Sequence, residues 1–222
     1  EFLRYCVEFG GLQPGDRVVD IGCGIGRLAV PLTQYLDPDT GSYDGLDPVP
    51  AGIAWCTAHI TPAYPPFRFH HHDVRHPLYH PAGAIDPNEM TLPFGDGSFD
   101  FATMISLVTH LSASEVRRLM AETARVLAPG GTLLVTAFVI DADGAGKPVD
   151  PRLTFARAGD GPEWHADANA PMSAVAFDDG FIEEVASDSG LQVRARHRGS
   201  WNGRPSGNFQ DLFIVEKRAG SR

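Results

Sequence analysis

Residues Val18-Val19-Asp20-Ile21-Gly22-Cys23-Gly24-Ile25-Gly26-Arg27 run a β-branched strand into three alternate glycines and then into an apolar helical pattern. This stretch constrains the fold most, because strand, glycine turn and helix in that order open a βαβ unit of a parallel sheet. Glycines so spaced let the backbone turn tightly and approach a ligand with no Cβ in the way. The helix that follows would aim unpaired N–H groups at that ligand. The stretch reads as a nucleotide-binding turn. A dinucleotide fingerprint has the spacing G-x-G-x-x-G, whereas here the glycines fall at 22, 24 and 26 behind an acid at Asp20.

Around that turn, 222 residues with 43% hydrophobic composition suffice for one sizeable α/β domain over residues 1–222, and no composition shift marks a second. A net charge of −10 offers no basic face to neutralise phosphates, which argues against nucleic acid or an anionic membrane as partner. A small molecule fits better. Cys6, Cys23 and Cys56 are too few and too odd for a disulfide framework, so a reducing, cytoplasmic setting is expected. The longest apolar run, Leu133 to Ile140, is too short to span a bilayer. The sequence does not give the oligomeric state.

Periodicity orders the rest. Phe2, Tyr5, Cys6 and Phe9 predict a short N-terminal helix within residues 1–12, covering one edge of the ligand site. Strands are expected at 17–21, 42–46, 67–72, 99–106 and 132–140, with helices over 27–36, through Ile53, Trp55 and Ala58, and from a capping box at Ser112-Ala113-Ser114-Glu115 to Leu127. Pro129-Gly130-Gly131 should stop that helix. Residues 141–171 show no periodic segment and read as a substrate-facing lid loop. A helix over 178–189 and strands at 191–197 and 211–217 complete the pattern, which predicts a doubly wound, mostly parallel sheet with helices on both faces.

The glycine turn resembles motif I of the class I S-adenosylmethionine-dependent methyltransferases. Gly45-Leu46-Asp47, His72-Asp73-Val74, Ser98-Phe99-Asp100 and Arg125-Val126-Leu127-Ala128-Pro129-Gly130-Gly131 resemble further landmarks of that family and fall in its order, over about residues 15–140. The resemblance implies a Rossmann-like sheet of seven strands whose last is antiparallel, and S-adenosylmethionine as cofactor. It also implies roles residue by residue. Asp20 would hold the methionine part, directly or through water, and Gly22, Cys23, Gly24 and Gly26 would line it. Asp47 would accept the ribose hydroxyls, and an acid about 20 residues past the glycines is where strand 2 delivers one. Asp73 and the Val74 amide would read the adenine, and Ser106 would sit near the methionine end. Such a cofactor has no pyrophosphate and carries an ammonium that wants a carboxylate nearby.

Methyl transfer from a sulfonium mainly requires alignment of the partners, and a base matters only when the acceptor must lose a proton of high pKa. His110, in Val108-Thr109-His110-Leu111, is the candidate catalytic base and substrate contact; its other reading is a histidine that packs and hydrogen-bonds at the helix entry. Trp201 and Arg204 form a candidate substrate platform for a sugar ring or an anionic group, against a packing role for Trp201. His70, His71, His72, His76 and His80 look like a metal cluster, but strand alternation and Pro77 argue against it, and no metal is expected.

Base methylation of nucleic acid fits poorly, because Tyr64-Pro65-Pro66-Phe67 lacks a leading amide or acid and precedes strand 3. The glycine spacing disfavours a nicotinamide enzyme. These readings converge on a methyltransferase for a small molecule, expected to act on a saccharide or secondary-metabolite hydroxyl. The alternative is a non-catalytic cofactor-binding module that regulates or completes a partner complex.

Overall fold

The structure, a computed structural model, describes residues 1–141 and 148–219. Among the described residues, ten strands form one mixed sheet: β1 (Arg17–Ile21), β2 (Ser42–Asp47), β3 (Phe67–His71), β4 (Phe99–Met104), β5 (Leu127–Ile140), β6 (Ala156–Arg157), β7 (Glu163–His165), β8 (Val175–Asp178), β9 (Leu191–His197) and β10 (Asp211–Lys217). The order β3-β2-β1-β4-β5 is parallel throughout. β10 then pairs antiparallel with both β5 and β9. This is the expected doubly wound, mostly parallel arrangement with an antiparallel last strand.

The sheet is larger than the seven strands expected. β8 runs parallel to the last residues of β5, Phe138 to Ile140, and β7 and β6 follow it antiparallel. These strands are two to four residues long, too short for alternation to show in the sequence. Part of the predicted lid, residues 142–147, lies outside the described residues.

Both faces of the sheet are covered. Along β1, Val19 and Ile21 join one apolar cluster and Val18 the other; along β5, Leu133, Val135 and Ala137 face one side and Leu134 the opposite. This alternation between two buried faces is why β5 reads as unbroken apolar sequence. On one face α4 (Ala113–Val126) and α5 (Phe181–Asp188) supply Val116, Leu119, Ile182 and Val185. On the other, α2 (Ala29–Leu32) and α3 (Pro50–His59) supply Leu32 and Cys56, with Tyr5 from the N-terminal helix. That N-terminal helix is α-helical over Phe2–Arg4 (α1) and π-helical over Tyr5–Phe9.

Two boundaries differ from the sequence reading for identifiable reasons. The helix expected over 27–36 is regular only as α2, because Pro31 has no N–H to donate, although Val30 still bonds to Gly26 and Leu36 to Leu32. At β5, Leu127 already pairs with Phe99; the ladder is interrupted at Ala128 to Gly131 and resumes at Thr132 opposite Phe101. The Pro-Gly-Gly run is therefore a break within β5's pairing and not a connection before it. The capping box forms as expected: Ser112 Oγ accepts from the Glu115 amide and Glu115 accepts from the Ser112 amide.

Candidate functional site

The C-terminal tips of β1, β2 and β4 open onto one cavity of about 720 Å³, a size usual for small-molecule sites. Its position at strand C-termini is where open α/β sheets bind ligands. Gly22 and Cys23 donate their amides to the Leu46 carbonyl at 2.8 and 3.0 Å, which pins the β1 turn to the tip of β2. Gly22, Gly24 and Gly26 take φ of 80°, 55° and 81°, the left-handed region where a Cβ is disfavoured. At Gly24 an added Cβ would meet nothing within 4 Å; it would project into the open cradle. At Gly26 it would lie 3.1 Å from Ile60 and 3.2 Å from Cys56, so this glycine permits packing of the turn on α3 and does not line the cavity.

Asp47 ends β2 at the cavity wall and holds the turn. Its Oδ2 accepts the Gly24 amide at 2.9 Å and its Oδ1 the Val49 amide at 2.8 Å. Each oxygen keeps a second lone pair, and the residue borders the cavity. Asp20 lies deeper, 3% exposed, with Oδ2 accepting from the Tyr43 hydroxyl and Oδ1 from Thr103, each at 2.6 Å. Burial pushes its carboxyl above the ordinary range, and the two hydroxyls act against that push.

Ser106, past the tip of β4, has φ 55°, the single positive value at a non-glycine among the described residues. Thr136 Oγ1 accepts its amide at 2.7 Å and Gln210 Oε1 accepts its hydroxyl at 3.3 Å, so neighbouring strands hold this costly conformation at the cavity wall. His110 follows on the same loop. A carbonyl only accepts, so the 3.0 Å contact of His110 Nδ1 with the Met172 carbonyl puts the ring proton on Nδ1. The lone pair is then on Nε2, 3.3 Å from the Tyr79 hydroxyl. Burial lowers the His110 pKa from its ordinary 6.5, favouring the neutral ring that a base requires.

Of the residues singled out in the sequence, Asp20, Gly22, Cys23, Gly24, Asp47, Val74, Ser106 and His110 border the cavity. Four do not. Asp73 turns to His80, whose Nε2 lies 2.6 Å from Oδ1, and that contact holds its carboxyl below the usual range. The Val74 amide is spent on the His72 carbonyl at 2.7 Å. Trp201 is wholly buried against Phe138 and Phe155, with Nε1 donating to Asp211 at 2.8 Å, so its ring packs within the core. Arg204 pairs with Asp141, which also binds Arg198. Gly26 is the fourth, for the reason given above. The described part of the predicted lid forms β6 and β7 and does not border the cavity.

Apart from His76, Pro77 and His80, no motif or periodicity singles out a residue between Arg75 and Met90. Arg75, His76, Tyr79, Pro87 and Met90 all border the cavity. The usable signal is Tyr79, an aromatic residue between His76 and His80 in a stretch with no core periodicity. Of the five clustered histidines, three go to separate places: His70 to Asp44, His72 to the cavity wall and His76 to the His110 carbonyl. His71, Asp73 and His80 do come together, with one potential ligand atom each within 4.8 Å of the others.

Fold and cavity together define a methyltransferase-type α/β domain. The family profile described as a methyltransferase domain matches residues 19–135, and the chain belongs to that family. A Mycobacterium ulcerans phthiotriol/phenolphthiotriol dimycocerosates methyltransferase is 35% identical over 125 residues, covering 55% of this chain and 37% of the relative. A Schizosaccharomyces pombe sterol 24-C-methyltransferase is 27% identical over 133 residues, 60% of this chain and 30% of the relative. The match thus spans about a third of the length of these curated relatives. Among solved structures, a Methanosarcina mazei S-adenosylmethionine-dependent methyltransferase superposes with a TM-score of 0.63 at 21% identity, covering 96% of this chain and 98% of that one. A Burkholderia thailandensis 1,6-didemethyltoxoflavin-N1-methyltransferase, solved with S-adenosylhomocysteine, gives 0.59 at 16% identity, covering 97% and 76%. At those identities the likeness is one of fold. Among the described residues no helix is long and apolar enough to cross a membrane.

Proposed function

We propose that this domain binds S-adenosylmethionine and transfers its methyl group to a hydroxyl oxygen of a small molecule. The observation that carries the reading is the Gly24 cradle closed by Asp47: an open left-handed glycine beside an acid at the β2 tip whose oxygens have spare lone pairs for ribose hydroxyls. Such a donor set suits an adenosyl group without phosphates, with Asp47 toward the ribose and Asp20 toward the amino-acid end, either through water or after a small shift. The cofactor supplies the methyl group as an electrophile. His110 supplies the lone pair that takes the hydroxyl proton, and the cavity wall aligns the acceptor.

The acceptor is a saccharide or secondary-metabolite hydroxyl, and oxygen is favoured over nitrogen because a neutral imidazole base serves a hydroxyl best. One domain across residues 1–222 fits the continuous sheet, and a cytoplasmic setting fits three cysteines that form no disulfide framework. The competing reading, a cofactor-binding module without catalysis, is weakened by a neutral histidine with its lone pair at the cavity. The test is mass-spectrometric detection of methylated product from panels of glycosides, phenols and aliphatic alcohols with labelled cofactor. Cofactor binding without product from any panel, and product only in the presence of a partner protein, would support the module instead.

A further inference from the structure

His76 is 6% exposed and uses both ring nitrogens. Its Nδ1 accepts the amides of Leu78 and Tyr79 at 3.2 and 3.3 Å, so that nitrogen carries no proton, and its Nε2–H donates to the His110 carbonyl at 2.8 Å. One ring therefore fixes the turn that carries Tyr79 and the loop that carries His110. The Tyr79 ring stands edge-on to the His110 ring, centroids 5.3 Å apart, and its hydroxyl reaches Nε2 at 3.3 Å. Tyr79 is half-exposed at the cavity wall, whereas His110 is more enclosed. Because the Met172 carbonyl fixes the His110 proton on Nδ1, the phenol must donate and Nε2 must accept. The phenol oxygen keeps its own lone pairs for another donor.

We propose that Tyr79 is a catalytic residue of the transfer, standing between the acceptor hydroxyl and His110, with His76 as the positioning residue for both. This rests on the methyl-transfer reading and alters the route of the proton. As the acceptor oxygen forms its bond to the methyl carbon, its O–H proton passes to Tyr79 Oη and the phenol's own proton passes to His110 Nε2. The S–C bonding pair stays on sulfur, so the sulfonium's positive charge ends on the imidazolium and Tyr79 remains neutral. Burial raises the Tyr79 pKa above 10.0, which keeps the phenol protonated and able to donate. Other groups facing the pair are His76 itself, Asp47 through the cavity, and Glu115, whose Oε2 is taken up by Ser112.

The test is nitrogen NMR of ¹⁵N-histidine-labelled protein with S-adenosylhomocysteine present, comparing wild type, Tyr79→Phe, His76→Asn and His76→Gln. In wild type the His110 proton should sit on Nδ1, and Tyr79→Phe should move only the Nε2 resonance toward that of a free imine nitrogen. An asparagine oxygen can replace Nδ1 as acceptor, and a glutamine amide can replace Nε2–H as donor. His76→Gln should therefore retain the tie to His110 and its wild-type spectrum, while His76→Asn should mix the two His110 tautomers. With whichever panel acceptor gives product, Tyr79→Phe should lower kcat about a hundredfold, with the cofactor KM unchanged. An Nε2 resonance indifferent to Tyr79→Phe, a proton found on Nε2, or a kcat loss under threefold would overturn the proposal. Failure of the wild type to bind S-adenosylhomocysteine would instead sink the methyl-transfer reading and leave the spectral result standing.

Discussion

Asp47 Oδ2 accepts the amide proton of Gly24 at 2.9 Å, joining the tip of β2 to the turn that follows β1. One carboxylate thereby shapes the cradle and faces its contents. Asp47→Asn would put an amide donor or a weaker acceptor where two backbone amides now donate. Hydrogen bonds to a charged group contribute about 1.5–3 kcal/mol, so affinity for S-adenosylhomocysteine should fall roughly tenfold to a hundredfold. Titration calorimetry on the folded variant measures this.

Gly24→Val should be harsher on binding than on folding. The added side chain meets no protein atom at its Cβ but occupies the cradle, and φ of 55° costs a β-branched residue about 1–3 kcal/mol. A thermal melt should show a modest loss while cofactor binding disappears. Gly26→Val should reverse the emphasis, since its Cβ presses on Ile60 and Cys56 and the main effect should fall on stability.

These two glycines also show what the sequence could reveal. Their spacing, the acid before them and the acid at Asp47 point to the end of the sheet where the cavity lies, because strand and turn chemistry is local. That Asp73, Trp201 and Arg204 lie off the cavity wall is not legible, because their partners His80, Asp211 and Asp141 are set by loop paths that carry no periodicity. The Tyr79–His110 contact is illegible for the same reason: it joins residues 31 apart across an irregular segment. The extra strands β6 to β8 escaped because two to four residues hold too few alternations to read.

Trp201→Ala should lower stability by about 3–5 kcal/mol, the usual cost of removing a large core ring, and leave cofactor affinity unchanged in whatever fraction folds. Trp201→Phe is the gentler check. Asp211 would keep the Gly199 and Val139 amides as donors, so the loss should be nearer 1–3 kcal/mol. Denaturant melts paired with calorimetry separate this packing role from any substrate role, because a substrate platform would spare stability.

The pH dependence follows from His110. A base works only when neutral, and burial lowers its pKa below 6.5, so kcat should hold through neutral pH and fall only as pH drops through a midpoint below 6.5. His110→Gln should abolish that acid limb and reduce kcat by about 10²–10⁴. An acid limb centred above 6.5, or one that survives in His110→Gln, would assign the titration to another group.

The central claim is most directly tested by calorimetric titration of the purified protein with S-adenosylmethionine and S-adenosylhomocysteine, set beside NAD under the same conditions. One site per chain for the sulfur compounds, weakened by Asp47→Asn, with no heat from NAD, is the expected result. A clear NAD isotherm with no response to either sulfur compound would contradict the account.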